Sequence, residues 1–254
     1  MIFKKIKNIT DMIIRRITER ERERERNIFS NINNKSFYFY IRGHIRESFN
    51  TKILYFFIKI LRIKFPNVII IFQTWNNIEC KNNESWKEIN EKDDNIDLIK
   101  LNKYFDNEII DNTNCLICNS NIKYHGLTEG NICLSSAPRK GWKNMWFGIN
   151  KGFQKIKDEE KDVVLFRYDY FDINQSKMTG YKEIIEFIEE NLESDKIKFY
   201  KKDDNTGVDN LFIGNVKKVR ELIELFYFNL DEIEKKYPNE VHQEFLVPKI
   251  ANNL

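Results

Sequence analysis

Short apolar runs, each followed at once by polar residues, are the feature that most constrains the fold. Residues 37–41, 68–72 and 163–166 are rich in β-branched and aromatic side chains, which is typical of strands buried on both faces. Residues 47–65 have apolar side chains at helical spacing and are followed by Pro66, which ends a helix. A strand, a helix and a strand in that order predict a parallel βαβ unit.

The rest of the chain continues the alternation. We predict helices at residues 86–100, 146–157, 181–191 and 216–230, and short strands at residues 109–110, 197–200 and 211–213. Alternating strands and helices predict an α/β fold, with a mostly parallel sheet flanked by helices. Residues 112–141 hold clusters of Asn, Gly, Ser and Pro, so we predict a long excursion of the kind that covers a binding site.

A basic helical extension, residues 1–34, is expected to precede a single domain at residues 35–254. Residues 1–27 hold nine Lys or Arg against five acids. Apolar side chains recur there at steps of three and four, on one face of a helix: Ile2, Ile6, Ile9, Ile13 and Ile17. Such a helix can lie on an anionic membrane. The alternative is a helical or frayed extension without a role.

Nucleic-acid binding and membrane spanning are both disfavoured. The whole chain carries 42 basic and 39 acidic residues, and the Glu-Arg alternation at residues 19–26 cancels most of the local field. The most apolar stretch, residues 53–72, is interrupted by lysine, arginine and proline, so placing it in a bilayer is costly. We expect a cytoplasmic protein that can contact the inner face of the membrane through residues 1–27.

The cysteines allow a zinc site as an alternative to reduced thiols. Cys115 and Cys118, with His125 and Cys133, supply four side chains of the kind that bind zinc. The spacing of these residues matches no common zinc finger, so reduced thiols are favoured.

Polar clusters follow three of the predicted strands. They are Arg42-Gly43-His44-Ile45-Arg46, Thr74-Trp75-Asn76 and Arg167-Tyr168-Asp169. Ligands of open parallel sheets bind outside the carboxyl ends of the strands. Arginine forks suit a diphosphate, and a carboxylate at Asp169 suits a divalent cation that bridges the phosphates. The structural alternative is an ion pair between Arg167 and Asp169 at the sheet edge.

The order of these segments resembles that of bacterial and viral glycosyltransferase-like proteins of capsule and lipopolysaccharide synthesis, which are related to WavE-type proteins. The resemblance covers most of the chain beyond residue 35. It depends on the Gly43-His44-Ile45-Arg46 turn, the Thr74-Trp75 pair, the helix opening at residues 144–151 and the strand end at Asp169. Segments at residues 209–215 and 242–246 fit the later part of the same order.

The resemblance implies a GT-A-like, Rossmann-like fold and a nucleotide-sugar-dependent glycosyltransferase that acts on a cell-surface glycan or lipopolysaccharide. It implies a divalent cation, Mn²⁺ or Mg²⁺, at Asp169, with a metal-independent enzyme as the alternative. Asp209 and Glu244 would lie on the acceptor side, where an inverting enzyme needs a carboxylate base. The remaining implied contacts are with the nucleotide-sugar donor: Arg42, Gly43, Arg46, Thr74, Trp75 and Arg167.

A different function class is compatible with the same sequence. In this alternative the chain is a non-catalytic α/β module that its N-terminal helix tethers to a membrane or an assembly. The two hypotheses differ in one structural expectation: an enzyme needs Arg42, Arg46, Asp169 and Asp209 to converge on an open cleft.

Overall fold

A six-stranded sheet with helices on both faces forms the core of the computed structural model, and it confirms the predicted α/β class. The structure describes residues 35–76, 95–111, 114–119, 122–132, 137–173, 180–200, 210–239 and 243–254. The predicted extension at residues 1–34 lies outside these ranges.

The strands and helices follow one another along most of the described chain. The strands are β1 (Tyr38–Arg42), β2 (Ile69–Trp75), β3 (Asn114–Cys118), β4 (Asp162–Arg167), β5 (Lys198–Phe199) and β6 (Leu211–Asn215). The helices are α1 (Ile53–Lys64), α2 (Leu98–Phe105), α3 (Asn107–Asp111), α4 (Arg139–Phe153), α5 (Tyr170–Ile173), α6 (Tyr181–Asn191), α7 (Val216–Lys236) and α8 (Gln243–Ala251). A short 3-10 helix, Arg46–Phe49, precedes α1. None of the helices in the described residues combines the length and hydropathy needed to cross a bilayer.

The strand order is β3-β2-β1-β4-β6-β5. This order creates a crevice at the carboxyl ends of the central strands. Strands β1 to β4 pair in parallel, whereas β6 is antiparallel to both β4 and β5. The chain builds outward from β1 to β3 and then crosses to β4 on the other side of β1. Neighbouring connections diverge at such a switch point, so the carboxyl ends of β1 and β4 flank a natural ligand site.

The two faces of the sheet are buried by different helices. On β1, the Phe39 ring packs 5.9 Å from that of Phe57 on α1, and the next side chain, Tyr40, packs 5.9 Å from Phe153 on α4. Alternate side chains therefore enter opposite cores. On the α4 side, Trp146 stacks on Phe226 of α7 at 4.6 Å and is 1% exposed, which places it in the core.

Two sequence-based expectations about the third strand are wrong. Ile109 and Ile110 do not form a strand, because they lie in α3 and bury their side chains beneath α1. The third strand is β3, within the region predicted as an excursion. A pair of apolar residues carries no periodicity that separates a strand from a helix.

Several helix boundaries also differ from the predicted ones. The helix predicted at residues 47–65 is divided into the 3-10 helix and α1. The helix predicted at residues 146–157 begins earlier, at Arg139, and ends at Phe153. Most of the helix predicted at residues 86–100 lies outside the described residues.

Close contact between α4 and β1 makes Gly152 sensitive to substitution. A Cβ atom at Gly152 would lie 2.0 Å from Tyr40 Oη, and the fully buried Tyr40 hydroxyl donates to the Ile149 carbonyl at 3.1 Å. We expect Gly152→Ala to lower the free energy of unfolding by about 1–3 kcal/mol, because the added methyl overpacks the core. Urea denaturation measures this loss. Lys151→Ala, at an exposed position of the same helix, is the control, and equal stability of the two variants would contradict the close contact.

Candidate functional site

A cleft opens at the carboxyl ends of β1, β2 and β4, beside the first turns of α4. Its enclosed space is about 70 Å³, so any ligand larger than a few water molecules would extend through its open mouth. Five residues that the sequence predicted as site residues line it: Gly43, Arg46, Trp75, Arg167 and Asp169. The polar clusters at the three strand ends therefore converge.

The turn after β1 has an unusual backbone. Gly43 has φ +100° and Arg46 has φ +48°, both in the region that L side chains rarely adopt. The Gly43 carbonyl accepts a hydrogen bond from Thr74 Oγ1 at 3.0 Å, and the Gly43 amide donates to Gln73 Oε1 at 3.3 Å. Strand β2 thus holds the turn in the conformation that aims Arg46 at the cleft. Backbone strain of this kind is often found at functional sites.

A buried ionic cluster lies at the base of the cleft. Arg167 binds both oxygens of Asp169, with Nε donating at 2.9 Å and Nη2 at 2.7 Å. Arg46 Nη1 donates to Asp169 Oδ2 at 2.5 Å. Arg167 Nη1 also donates to Asn210 Oδ1 at 2.6 Å. With two guanidinium groups and one carboxylate, the cluster of Arg46, Arg167 and Asp169 carries a net positive charge and favours an anionic ligand.

The donor set around Asp169 does not fit the predicted divalent cation. Both Asp169 oxygens already accept hydrogen bonds from guanidinium groups. Mg²⁺ or Mn²⁺ would bind a carboxylate oxygen directly, so a cation at Asp169 would have to compete with these guanidinium groups for the carboxylate. Among the residues that the structure describes, no three His, Cys, Asp or Glu side chains are grouped as metal ligands would be. Asp169 instead orients the two arginines.

Aromatic side chains and a helix terminus complete the cleft. The rings of His44 and Trp75 are stacked at 5.7 Å with an angle of 21° between their planes. Trp142 of α4 also lines the cleft, and so does Pro138, the residue before the first turn of this 15-residue helix. The N-terminus of a helix carries a partial positive charge, which adds to the attraction for an anion.

Other predicted site residues lie elsewhere or are not described. Arg42 ends β1 and is buried, but it is not among the residues lining the cleft. Thr74 is fully buried and supports the Gly43 turn rather than facing a ligand. Asp209 lies outside the described residues, although the next residue, Asn210, binds Arg167. Glu244 belongs to α8, but its side chain is outside the described part.

Gln73 and Gly148 contribute to the site but were not predicted. Gln73 is 1% exposed, lines the cleft and accepts from the Gly43 amide. A Cβ atom at Gly148 would lie 2.9 Å from Gln73 Nε2 and 3.1 Å from a ring carbon of Trp75. Glycine therefore lets α4 approach β2 closely. The one sequence signal for Gln73 as a site residue was its position directly after the apolar run at residues 68–72.

The two cysteines of β3 do not form half of a zinc site. Cys115 and Cys118 point to opposite faces of the sheet, since Cys115 packs against the α1 core and Cys118 against Trp75 and Phe147. Burial raises the pKa of the Cys115 thiol to about 11 and raises that of Cys118 as well. Both are therefore protonated thiols at neutral pH, and Cys133 lies outside the described residues.

Asp231, an acidic residue of α7, contacts both the segment at residues 122–132 and the start of α4. Asp231 Oδ2 accepts from the Leu127 amide at 2.7 Å, and Oδ1 lies 3.0 Å from Lys143 Nζ and 3.1 Å from Arg139 Nη1. Gly126 has φ +70°, and a Cβ atom there would lie 2.0 Å from Asp231 Oδ2. These contacts hold the helix end that borders the cleft.

The Asp231 contacts predict a pH-dependent stability. Burial raises the pKa of Asp231, but hydrogen bonds from Leu127, Lys143 and Arg139 outweigh burial and leave the pKa below its usual value. The stabilisation is therefore complete above the unfolded pKa of about 3.9 and is lost as the pH falls through the folded value. We expect Asp231→Asn to cost about 1–3 kcal/mol at pH 7 and progressively less below about pH 4.

Urea denaturation of both proteins from pH 7 to pH 3 measures this difference. Asp158→Asn is the control, because Asp158 forms a half-buried pair with Lys161, which solvent partly screens. A stability difference between wild type and Asp231→Asn that stays constant over the whole pH range would contradict the role of the Asp231 charge.

Comparisons with known proteins leave the family open. No protein-family model matches the chain, and no curated protein matches it. Among solved structures, 4-diphosphocytidyl-2C-methyl-D-erythritol synthase from Anaerococcus prevotii is similar over 87% of this chain and 85% of that chain. The identity is 8% and the TM-score is 0.38, values at which the likeness supports no statement about activity. The resemblance to glycosyltransferase-like proteins of capsule and lipopolysaccharide synthesis stays a prediction.

Proposed function

We propose that the cleft binds the diphosphate of a nucleotide sugar and that the chain is a glycosyltransferase acting on a cell-surface glycan or lipopolysaccharide. One observation carries the proposal: Arg46 and Arg167 meet in an open cleft at the switch point of the sheet, beside the N-terminus of α4. A diphosphate is the anion that best fits two adjacent guanidinium groups and a helix terminus.

The chemistry of sugar transfer gives the positive charge a role. When the bond between the sugar and the diphosphate of the donor breaks, negative charge develops on the departing nucleoside diphosphate. Fixed guanidinium groups in a cleft stabilise that charge without reorganising, which favours departure. Asp169 is a positioning residue in this proposal, because it holds both guanidinium groups in place. The proposal requires no step through a metal ion.

The walls of the cleft support a nucleotide ligand. The His44 ring, which is half-buried, lines the cleft and stacks on the buried Trp75, so it presents an aromatic surface for a base or a sugar ring. Gln73 and Asn144 line the same wall, where hydrogen bonds with Gly43, Cys118 and Tyr124 hold their amide groups in place. Such a lining, apolar with a few convergent polar groups, is typical of small-molecule sites.

Two carboxylates are proposed for the acceptor side. An inverting transfer needs a base that removes the proton of the attacking hydroxyl. Asp209 and Glu244 stay the candidates, since Asp169 is engaged by both arginines. The hydrogen bond between Asn210 and Arg167 brings the neighbour of Asp209 to the ionic cluster, which favours Asp209.

A thermal-shift experiment with UDP, GDP and CDP tests the proposal. We expect one of them to raise the unfolding temperature, and to do so in EDTA as well as in Mn²⁺, because the guanidinium groups supply the neutralising charge. Inorganic phosphate at the same concentration is the control for non-specific anion binding. Stabilisation by none of the nucleotides, or by phosphate to the same extent, would reject the nucleotide site.

The non-catalytic module is a second candidate, and one observation favours it. Among the described residues that line the cleft, Asp169 is the sole carboxylate, and it is engaged by arginines. A module of this kind would bind the nucleotide but would not hydrolyse or transfer its sugar. Incubation of the full chain with UDP- or GDP-sugars, followed by analysis of released nucleotide, separates the two candidates.

A further inference from the structure

A row of three stacked aromatic rings leads from helix α4 to the cleft. The rings of Phe147 and Trp75 are 6.2 Å apart with 27° between their planes, and those of Trp75 and His44 are 5.7 Å apart with 21°. Phe147 and Trp75 are 6% and 7% exposed, whereas His44 is half-buried and lines the cleft. The row therefore ends at the cleft surface, and its last ring is an imidazole.

Packing from two directions fixes the row. A Cβ atom at Gly148 would lie 3.1 Å from a ring carbon of Trp75, so the backbone of α4 lies directly against the indole. His44 belongs to the turn whose Gly43 carbonyl accepts a hydrogen bond from the fully buried Thr74 at 3.0 Å. The imidazole is therefore held in place by the protein itself, and a preorganised surface loses little conformational freedom when a ligand binds.

The cationic groups of the cleft lie deeper than the imidazole. The side chains of Arg46 and Arg167 are 8% and 10% exposed, and the enclosed space that they line is about 70 Å³. This space takes a phosphate group, which is the size of a few water molecules, but not a base or a pyranose ring. His44 precedes Arg46 by two residues, so their Cα atoms are at most about 7 Å apart. A nucleoside diphosphate whose phosphates reach the arginines therefore has its base at the mouth, near His44.

We infer that His44 binds the base of the nucleotide by stacking, so that the base extends the aromatic row as its fourth ring while the phosphates face Arg46 and Arg167. This inference rests on the proposed function and adds the orientation of the ligand in the cleft. Nucleic-acid bases are planar and aromatic, and they stack on histidine as they do on phenylalanine, tyrosine and tryptophan. A sugar ring is puckered and has no π-face with which to continue the row.

Isothermal titration calorimetry of the full chain with two ligands tests the inference. One ligand is the nucleoside diphosphate, among UDP, GDP and CDP, that gives the largest thermal shift, and the other is pyrophosphate, which has no base. We expect His44→Ala to weaken binding of the nucleoside diphosphate by about tenfold and to leave pyrophosphate binding unchanged, because only the stacking surface is lost. His44→Phe keeps an aromatic ring beside Trp75 and should keep most of the nucleotide affinity.

His125→Ala is the matched control. His125 is also half-buried, and its ring packs against that of Tyr227 at 4.9 Å, but it is not among the residues lining the cleft. This variant should bind both ligands as wild type does, and thermal unfolding verifies that each variant is folded.

Three results would each overturn the inference without affecting the proposed function. They are unchanged nucleotide affinity in His44→Ala, an equal loss of affinity for pyrophosphate and the nucleotide, and a loss in His44→Phe as large as in His44→Ala. The second result would mean that His44 acts on the phosphates, and the third that its nitrogen atoms bind the ligand. If wild type binds no nucleoside diphosphate, the proposed function fails and the inference fails with it.

Discussion

Replacing Asp169 by alanine is expected to lower the free energy of unfolding by about 3–5 kcal/mol, because it leaves two buried guanidinium groups without their carboxylate. The Asp169, Arg46 and Arg167 side chains are 5%, 8% and 10% exposed, so solvent replaces little of the lost interaction. Arg167 keeps its hydrogen bond to Asn210, but its bidentate contact is lost. Urea denaturation of the full chain measures the change.

The control for this prediction is Asp158→Ala, which breaks a half-buried ion pair with Lys161 and one backbone hydrogen bond and should change stability by about 1 kcal/mol or less. A role of Asp169 as a metal ligand alone predicts a different pattern. In that case the variant would unfold like wild type in EDTA and would lose only the stabilisation that Mn²⁺ gives. Equal urea midpoints for Asp169→Ala and wild type in EDTA would therefore contradict the ionic cluster.

Burial on both faces explains why the central strands could be predicted from sequence. Strands β1, β2 and β4 lie between two layers of helices, so nearly every side chain in them is buried. A continuous apolar run of about five residues between polar turns has few other uses in a soluble domain. Because the ends of these apolar runs were predicted, the polar clusters at the carboxyl ends of the strands were predicted too.

Elements whose conformation depends on distant contacts could not be predicted. Strand β3 lies at the sheet edge, and its residues range from exposed to buried, so no continuous apolar run marks it. The first turn of α4 contains Arg139 and Lys140, charges that the helix dipole disfavours at that end. Asp231 and Glu234 of α7 bind Arg139 and offset this cost, and they lie about 90 residues further along the chain.

The sequence predicted several residues of the candidate site but not the hydrogen bonds and ion pairs between them. Sequence order placed Arg46, Arg167 and Asp169 at strand ends, and it left a metal site and an ion pair as alternatives for Asp169. The choice depends on distances, and in the structure the carboxylate lies between the two arginines. Gln73 and Asn210, which complete the network, carry no local sequence pattern because their partners come from other strands.

Arg46→Met is expected to weaken binding of the preferred nucleoside diphosphate by about 10- to 100-fold, because it removes a charged hydrogen-bond donor from the cleft. The nucleotide that gives the largest thermal shift serves as the ligand, and isothermal titration calorimetry measures its dissociation constant. Asp169 keeps both hydrogen bonds from Arg167 in this variant, so stability should fall less than in Asp169→Ala. Arg220→Met is the control, since Arg220 lies on α7 and binds Glu159, away from the cleft.

A second substitution at the same position separates charge from geometry. Arg46→Lys keeps the positive charge but removes the planar fork, and Arg46 already has a left-handed backbone that the chain maintains at a cost of about 1–2 kcal/mol. If the fork binds two phosphate oxygens, Arg46→Lys should restore only part of the lost affinity. Full restoration would mean that the site senses charge alone, and unchanged affinity in Arg46→Met would remove Arg46 from the nucleotide site. The strained turn that contacts with Gln73 and Thr74 hold at Gly43 is costly to maintain. We expect its function to be the orientation of the Arg46 guanidinium group.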